Sequence, residues 1–298
     1  MPRLTADQVH ELFVSCSNAG RWGEDDELGT VNYITPNVRL AAVRTVTAGI
    51  AVSIGKDLVT RGSRQTPPSA VHFMTYAGHE PTAALDMVAL SPHGLEMTHV
   101  DAVGHSYFEG RQYNNRVAAE NVKADGIGRG SIMALADGLI TRGVLLDVAA
   151  ARGLDFLPMG SGVTVEDVEL AENSTGTRVG SGDAIFIRTG IDLQPPAQND
   201  GDPRTGVLAD VVPWLHQREV AIYSGDCIER TPSGYDRVPM PLHQVGLVAM
   251  GLCMLDSPDV EKLRSLCKEY GRHEFLLAVA PLRIPGGTGS SVNPVVVF

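Results

Sequence analysis

Cysteine is scarce in this chain of 298 residues: four in all, at positions 16, 227, 253 and 267, with no CxxC pair. That excludes a disulfide framework or a zinc knuckle and predicts reduced thiols in a cytoplasmic protein. Basic residues are also few, 24 Lys and Arg against 35 Asp and Glu, a net charge of −11 with histidine neutral. A nucleic-acid or membrane-surface binder needs a basic patch to meet phosphates, so neither class of partner is expected. No apolar run approaches the roughly 18 residues of a bilayer span. The start, Met1-Pro2-Arg3-Leu4-Thr5, carries one basic residue and leads into an amphipathic pattern, which does not read as a secretory signal. Repeats, low-complexity tracts and a Pro/Gly/Ser linker are missing, so one domain over 1–298 is expected, with a helical segment over about 1–48. What is present is core-forming material. Hydrophobic residues make up 43% and charged ones 20%, which excludes a solvated, disordered chain. The 32 glycines and 18 prolines predict many turns and many short strands.

Val9, Leu12, Phe13 and Cys16 recur at helical spacing over 5–18, with Thr5 as N-cap and Gly20 as stop. Thr35-Pro36 opens a second helix to about Val46. Strands are predicted at Ala51–Ile54, Ala84–Leu90, Val144–Val148, Ala184–Arg188, Val220–Tyr223 and Phe275–Ala280, and an exposed loop from Arg61 to Pro68. Thr164-Val165-Glu166-Asp167 has the form of a capping box for a short helix to about Glu172. Further helices are predicted over Leu242–Met250 and Pro258–Tyr270, and a last turn at Gly286-Gly287-Thr288-Gly289. The mixture lacks the regular alternation of a doubly wound sheet or an eightfold barrel. The expected class is α/β, with a mixed central sheet flanked by helices.

Chemistry concentrates between His93 and His105, where three of the nine histidines and Asp101 fall together. In an extended segment His99 and Asp101 project to one face, because strand side chains alternate with period two. An imidazole nitrogen and a carboxylate oxygen side by side suit Zn²⁺ or, alternatively, Mn²⁺. His93 and His105 share that parity, but a turn near Gly104 re-aims His105. The bland alternative is a set of hydrogen-bonded strand histidines; clustering, the adjacent Thr98 and the nearby glycines favour a site. Elsewhere, His72 and His79 flank Met74 and Tyr76 in a loop, and His216 sits at a helix end where a cation suits the dipole. Asp226 follows a core strand, the usual place for a functional loop.

The run Thr98-His99-Val100-Asp101 with His105 resembles the HxGTHxDxxxH signature of the cyclase family of metal-dependent hydrolases. That family includes kynurenine formamidase, isatin hydrolase, cyclic imide hydrolase and trans-dienelactone hydrolase. Further blocks are similar in order along the chain. They are Arg21-Trp22-Gly23 with Asp26 to Asn32, Thr141 to Val148, Gly182-Asp183-Ala184 with Arg188-Thr189-Gly190, Gly225-Asp226, Pro241-Leu242-His243-Gln244, and Pro281 to Pro294. The resemblance implies the swivelling β/α/β-like cyclase fold, a homo-oligomer (dimer or tetramer) and a small-molecule substrate. It implies His99, Asp101 and His243 as metal ligands and His105 as general acid/base. It also implies hydrolysis of a cyclic amide, imide or lactone, or of an aryl formamide, by metal-activated water.

Two departures stand out. Leu95 occupies the position of the signature's first histidine and cannot ligate, unless His93 replaces it through a bulge; Met97 replaces the glycine. Asp256 matches a second-site carboxylate, but Asp256-Ser257-Pro258-Asp259 equally reads as a helix start, with Asp256 or Ser257 capping. Trp22, Phe73, Tyr107 and Phe108 are expected to wall the pocket for a planar ring. Alternatives to hydrolysis are a biosynthetic cyclase or dehydratase, and a metal-free binding protein that the loss at Leu95 would explain.

Overall fold

The computed structural model describes residues 4–61, 69–80, 82–195 and 201–298, so most of the loop read at 61–68 lies outside the described residues. Nine strands form one mixed sheet: β1 (Ala51–Ser53), β2 (His99–Asp101), β3 (Leu139–Asp147), β4 (Ala184–Arg188), β5 (Ile222–Gly225), β6 (Cys253–Asp256), β7 (Glu274–Val279), β8 (Gly289–Ser291) and β9 (Val295–Val297). Their order across the sheet is β1-β9-β7-β3-β4-β5-β6-β2-β8. The centre, β3-β4-β5-β6, is parallel, and the pairs outside it are antiparallel. Parallel strands need cover on both faces, and β4, β5 and β6 are buried at every position. This is the α/β mixed sheet that the composition predicts.

Alternation along β3 divides the core in two. Val144 and Leu146 join one cluster, with residues of α1 (Ala6–Ser15), α3 (Val165–Thr175) and α4 (Val211–Gln217). Leu145, between them, joins the other, with residues of α5 (Val260–Tyr270) and of the segment 29–34. The remaining long helix, α2 (Pro36–Val43), starts at Thr35, whose side chain accepts from the N–H of Val38. Thr5 and Thr164 each close a capping box, with Gln8 and Asp167. The first helix ends at Ser15, before the predicted stop at Gly20.

Three expectations change. His72 is not in a loop: Ala70–Ala77 pairs with Ala83–Leu90 as a hairpin, and only His79 lies in the turn that joins them. Residues on the two sides of the hairpin are not sorted cleanly into polar and apolar, so period two is hard to see in the sequence. The helix predicted over Leu242–Met250 is one α-turn, Pro241–His243, followed by a wider π-helical stretch, Gln244–Met250. α5 is capped by Asp259, whose carboxylate accepts from the N–H of Lys262, and not by Asp256 or Ser257. Asp256 is left at the end of β6 with its side chain free for another purpose. No described helix is long and apolar enough to cross a membrane, and the four cysteines are free and buried.

Candidate metal centre

β2 is three residues long and lies between β6 and β8. Val100 enters the second core cluster, so His99 and Asp101 point to the opposite face, where Met254 and the π-helical stretch pack. The register sets Asp256 opposite His99. Strand pairing therefore brings three of the candidate ligands together, and His243 is delivered from the turn that opens the π-helix. Pro241 starts that turn, at a position where no N–H is needed.

The two candidate imidazole ligands, His99 and His243, are oriented in the same way. His99 Nδ1 lies 2.8 Å from the Met97 carbonyl oxygen, to which it can only donate. His243 Nδ1 lies 2.9 Å from a Glu229 carboxylate oxygen, and Glu229 also accepts from the His243 backbone N–H. With both Nδ1 atoms donating, Nε2 is the nitrogen each ring turns toward the carboxylates. His99 Nε2 is 3.5 Å from Asp101 Oδ1 and 4.0 Å from Asp256 Oδ2. His243 Nε2 is 3.8 Å from Asp101 Oδ2 and 3.6 Å from Asp256 Oδ2. Asp101 Oδ2 and Asp256 Oδ1 are buried and accept no hydrogen bond. A buried, unpartnered carboxylate oxygen costs on the order of 1–3 kcal/mol. Two carboxylates and two imidazole lone pairs converging on one spot thus have the make-up of a divalent-metal site, and the donor set fits such an ion.

His93 Nδ1 lies 2.8 Å from Asp101 Oδ1 and its Nε2 3.0 Å from the Thr288 hydroxyl. His93, Asp101 and His105 are also close enough together to hold an ion, beside the group of His99, Asp101 and Asp256. The His93 ring stacks on His105, with centroids 3.9 Å apart and planes within 10°. Gly289 permits this approach, because a Cβ there would sit 2.6 Å from the His93 ring. His105 Nε2 stands 4.0 Å from Asp101 Oδ2, beside the cluster, after the chain turns at Val103-Gly104.

Electrostatics follow the arrangement. Burial opposes ionisation of Asp101, but the His93 hydrogen bond and the neighbouring imidazoles outweigh it and hold the carboxyl below its usual range. Burial pushes His105 down to about 4, against the pull of Asp101. Burial would also lower His243, yet Glu229 and Asp256 raise it well above the ordinary histidine value. The spot between the carboxylates attracts positive charge. Outside the cluster, burial and then Arg21 lower His216, so the cationic helix-end role expected for it is not what the structure gives.

A cleft opens beside the cluster in two adjoining lobes of about 450 and 260 Å³. Leu95, Ile191, Arg204 and Asp226 border both, and Glu229 borders the larger. Asp226 accepts from the N–H groups of Thr189, Gly190 and Ile191 and from the Thr189 hydroxyl, and so shapes the loop that carries Ile191. Burial raises it to about 6. The expected aromatic wall is not there. Phe108 stacks on Phe13, Trp22 meets Tyr33 edge-on, Phe73 is on the hairpin, and Tyr107 is exposed, none lining either lobe. Neighbourhood in sequence to His99 did not translate into contact with the cleft. Glu229 and Thr288 are site residues that sequence reasoning missed; a lone Glu or Thr between core segments carries no local signal.

An α/β fold with a mixed sheet and a His/Asp cluster on the strand of a short motif defines the class. Residues 35–229 match the family model described as "Cyclase". The chain belongs to the cyclase family. It is similar in structure to a protein described as a novel cyclase, with 29% identity over 95% of this chain and 99% of that one and a TM-score of 0.83. Isatin hydrolase A from Labrenzia aggregata, bound to benzyl benzoate, shares the fold at 18% identity, covering 87% and 97% of the two chains with a TM-score of 0.61. A predicted metal-dependent hydrolase from Bacillus stearothermophilus does so at 14% identity, 84% and 98% coverage and a TM-score of 0.52. Among curated proteins none matches this sequence at a significant level.

Proposed function

We propose that the chain is a metal-dependent hydrolase that opens a cyclic amide, imide or lactone, or cleaves an aryl formamide. The observation that carries this reading is two buried carboxylates, Asp101 and Asp256, each with one oxygen that accepts no hydrogen bond, lying within 4.0 Å of the His99 and His243 Nε2 atoms beside a cleft. His99, Asp101, His243 and Asp256 would hold one divalent ion, Zn²⁺ first and Mn²⁺ second by donor type. Such an ion supplies Lewis acidity, making water a nucleophile near neutral pH and polarising a carbonyl. Asp256 compensates for the ligand missing at Leu95, which favours an enzyme over a metal-free binding protein. His93 is engaged by Asp101 and Thr288 in this arrangement, and one ion per chain is the content we expect.

The chain's own residues do the rest. His105, neutral because it is buried, takes the proton of the attacking water at Nε2 and returns it to the leaving nitrogen or oxygen. His93 and Glu229 hold Asp101 and His243 in position. Leu95, Ile191 and Ile228 give the cleft an apolar lining for a ring, and Lys56 and Arg204 add positive charge near its rim. The product is an acid with an amine or alcohol, or one ring-opened acid. The test is a panel of isatin, succinimide, N-formylkynurenine and dienelactone, with acid release followed by pH-stat beside metal analysis. Loss of metal-dependent acid release from every member would end the hydrolase reading.

A further inference from the structure

The smaller lobe of the cleft, about 260 Å³, is bordered by Lys56, Asp192, Arg204 and Ser257. One hydroxyl ties two of them to the metal centre. Thr98 is buried, and its Oγ1 accepts from the Lys56 backbone N–H at 2.9 Å and donates to the Ser257 carbonyl at 2.8 Å. Thr98 precedes His99 and Ser257 follows Asp256, so both lobe residues are set relative to two proposed ligands. The segment carrying Lys56 has a second anchor, since the carbonyl of the fully buried Ile54 accepts from the Asp259 N–H at 2.7 Å. Ser257 itself holds φ at 55°, a conformation that residues with a side chain rarely adopt. Backbone strain of this kind persists only where the surroundings impose it, and it clusters at functional sites. From this platform the Lys56 ammonium lies 3.1 and 3.2 Å from the two Asp192 carboxylate oxygens. Asp192 comes from a different wall, the turn after β4, where Asp226 accepts from the N–H of Ile191.

We propose that this lobe reads an anionic substituent of the substrate: a carboxylate that takes the Lys56 ammonium from Asp192, with Lys56 as the specificity-determining residue. The ion pair is poised for exchange. Its side chains are 28% and 39% exposed, and a pair so open to water adds little to stability, so swapping one carboxylate for another costs little. Lys56 has three donors and Asp192 engages only part of that capacity. Arg204 brings a second cation: its backbone is fixed by reciprocal bonds with Thr231, and among the described residues its guanidinium has no partner. A planar guanidinium suits a carboxylate. The acids that border the lobe leave room for this. Asp226 is turned onto the N–H groups of Thr189, Gly190 and Ile191, Asp192 is the exchangeable partner, and Glu96 is exposed to solvent. In a chain of net charge −11 an anion is repelled over most of the surface, so a lobe holding two cations is the place where it can be received. Arg204 also borders the larger lobe, so a ring lying there and a tail in the smaller one belong to one molecule. That the molecule is a substrate rests on the hydrolase reading; that the lobe binds a carboxylate does not.

The experiment is isothermal titration of the full, metal-loaded chain with three five-membered lactams that differ only in their tail: an acetate, an acetamide or an aminomethyl group. Binding is read without turnover, since unactivated lactams open slowly. The acetate tail should bind about 10- to 100-fold more tightly than the acetamide, the worth of one hydrogen bond to a charged group. Lys56→Met should remove that preference while leaving the acetamide Kd and the thermal midpoint as they were, and Lys56→Arg should keep most of it. Asp192→Asn moves in the opposite direction: with the competing carboxylate gone, the acetate tail should bind about two- to five-fold more tightly. Equal Kd values for acetate and acetamide would overturn the proposal. So would a preference for the aminomethyl tail, a preference that survives Lys56→Met in a folded variant, or no binding of any of the three. A chain that prefers the acetate tail yet releases no acid from the imide and lactone panel would end the hydrolase reading and leave the carboxylate subsite standing.

Discussion

Replacing His93 by phenylalanine separates two things that residue does. The ring would still lie against His105, where the imidazoles now stack at 3.9 Å, but the 2.8 Å hydrogen bond to Asp101 Oδ1 and the contact with Thr288 would be lost. Asp101 is 1% exposed, so no water takes over the lost donor freely. A hydrogen bond to a buried carboxylate contributes about 1.5–3 kcal/mol. If that energy holds Asp101 in its ligating pose, metal affinity should fall by roughly 10- to 100-fold, the usual cost of losing an outer-shell partner. Asparagine at the same position places an amide N–H near where Nδ1 stood and should recover most of the loss; glutamine, whose amide reaches toward the Nε2 position, should not. Affinity is read by competition with a chromophoric chelator at fixed pH, with no turnover measured. Equal Kd values for the phenylalanine variant and the unmodified protein would refute the reasoning, since His93 would then matter for packing alone.

Other expectations follow from the same geometry. Glu229→Gln leaves His243 Nδ1 with a weaker partner and should lower metal affinity by about 10- to 100-fold in the same competition assay. His105→Ala should keep the metal, by elemental analysis, while kcat falls by about 10²- to 10⁴-fold; retained turnover would remove the residue from its role. His105 works as a base when neutral, and burial holds it down to about 4, so protonation should switch it off only near that pH. A cation nearby can only push it lower, so kcat/KM should stay level as pH falls from neutral to about 5, whereas an ordinary histidine would lose half its base form near 6.5. An acid limb near 6.5 that disappears in the alanine variant would contradict this. Arg188 is fully buried, 2.8 Å from Asp147 and 2.6 Å from Glu261. Arg188→Leu should cost up to about 3–5 kcal/mol by removing a buried guanidinium and leaving both carboxylates to Arg264 alone, measured by urea unfolding.

Legibility followed the range of the interactions. His99 and Asp101 were readable because period two is local and both residues lie within three positions. The helix starts at Thr5, Thr35 and Thr164 were readable because a cap is a contact across three residues. Asp256 was ambiguous for the same reason: its local pattern is that of a cap, and only the position of Asp259 as the actual cap frees it. His243 was accessible through resemblance, since nothing nearby in the chain marks it; the Glu229 that orients it comes from another segment. The second strand of the hairpin was readable as Ala84–Leu90, but the first was not, because one of its faces mixes His72 and Asp86 with Met74 and Tyr76, which blurs alternation. The wider turns of Gln244–Met250 depend on how that stretch packs, which helical periodicity alone does not report.

The four proposed ligands are not equally anchored. His99, Asp101 and Asp256 ride on paired strands in the middle of a ladder, whereas His243 stands at the mouth of a π-helix, tied through Glu229. Chelating the ion should therefore leave a socket with three walls standing and one hinged clasp. Far-ultraviolet dichroism would hardly change on stripping, and reloading would be quick, limited by the closing of His243 and not by refolding.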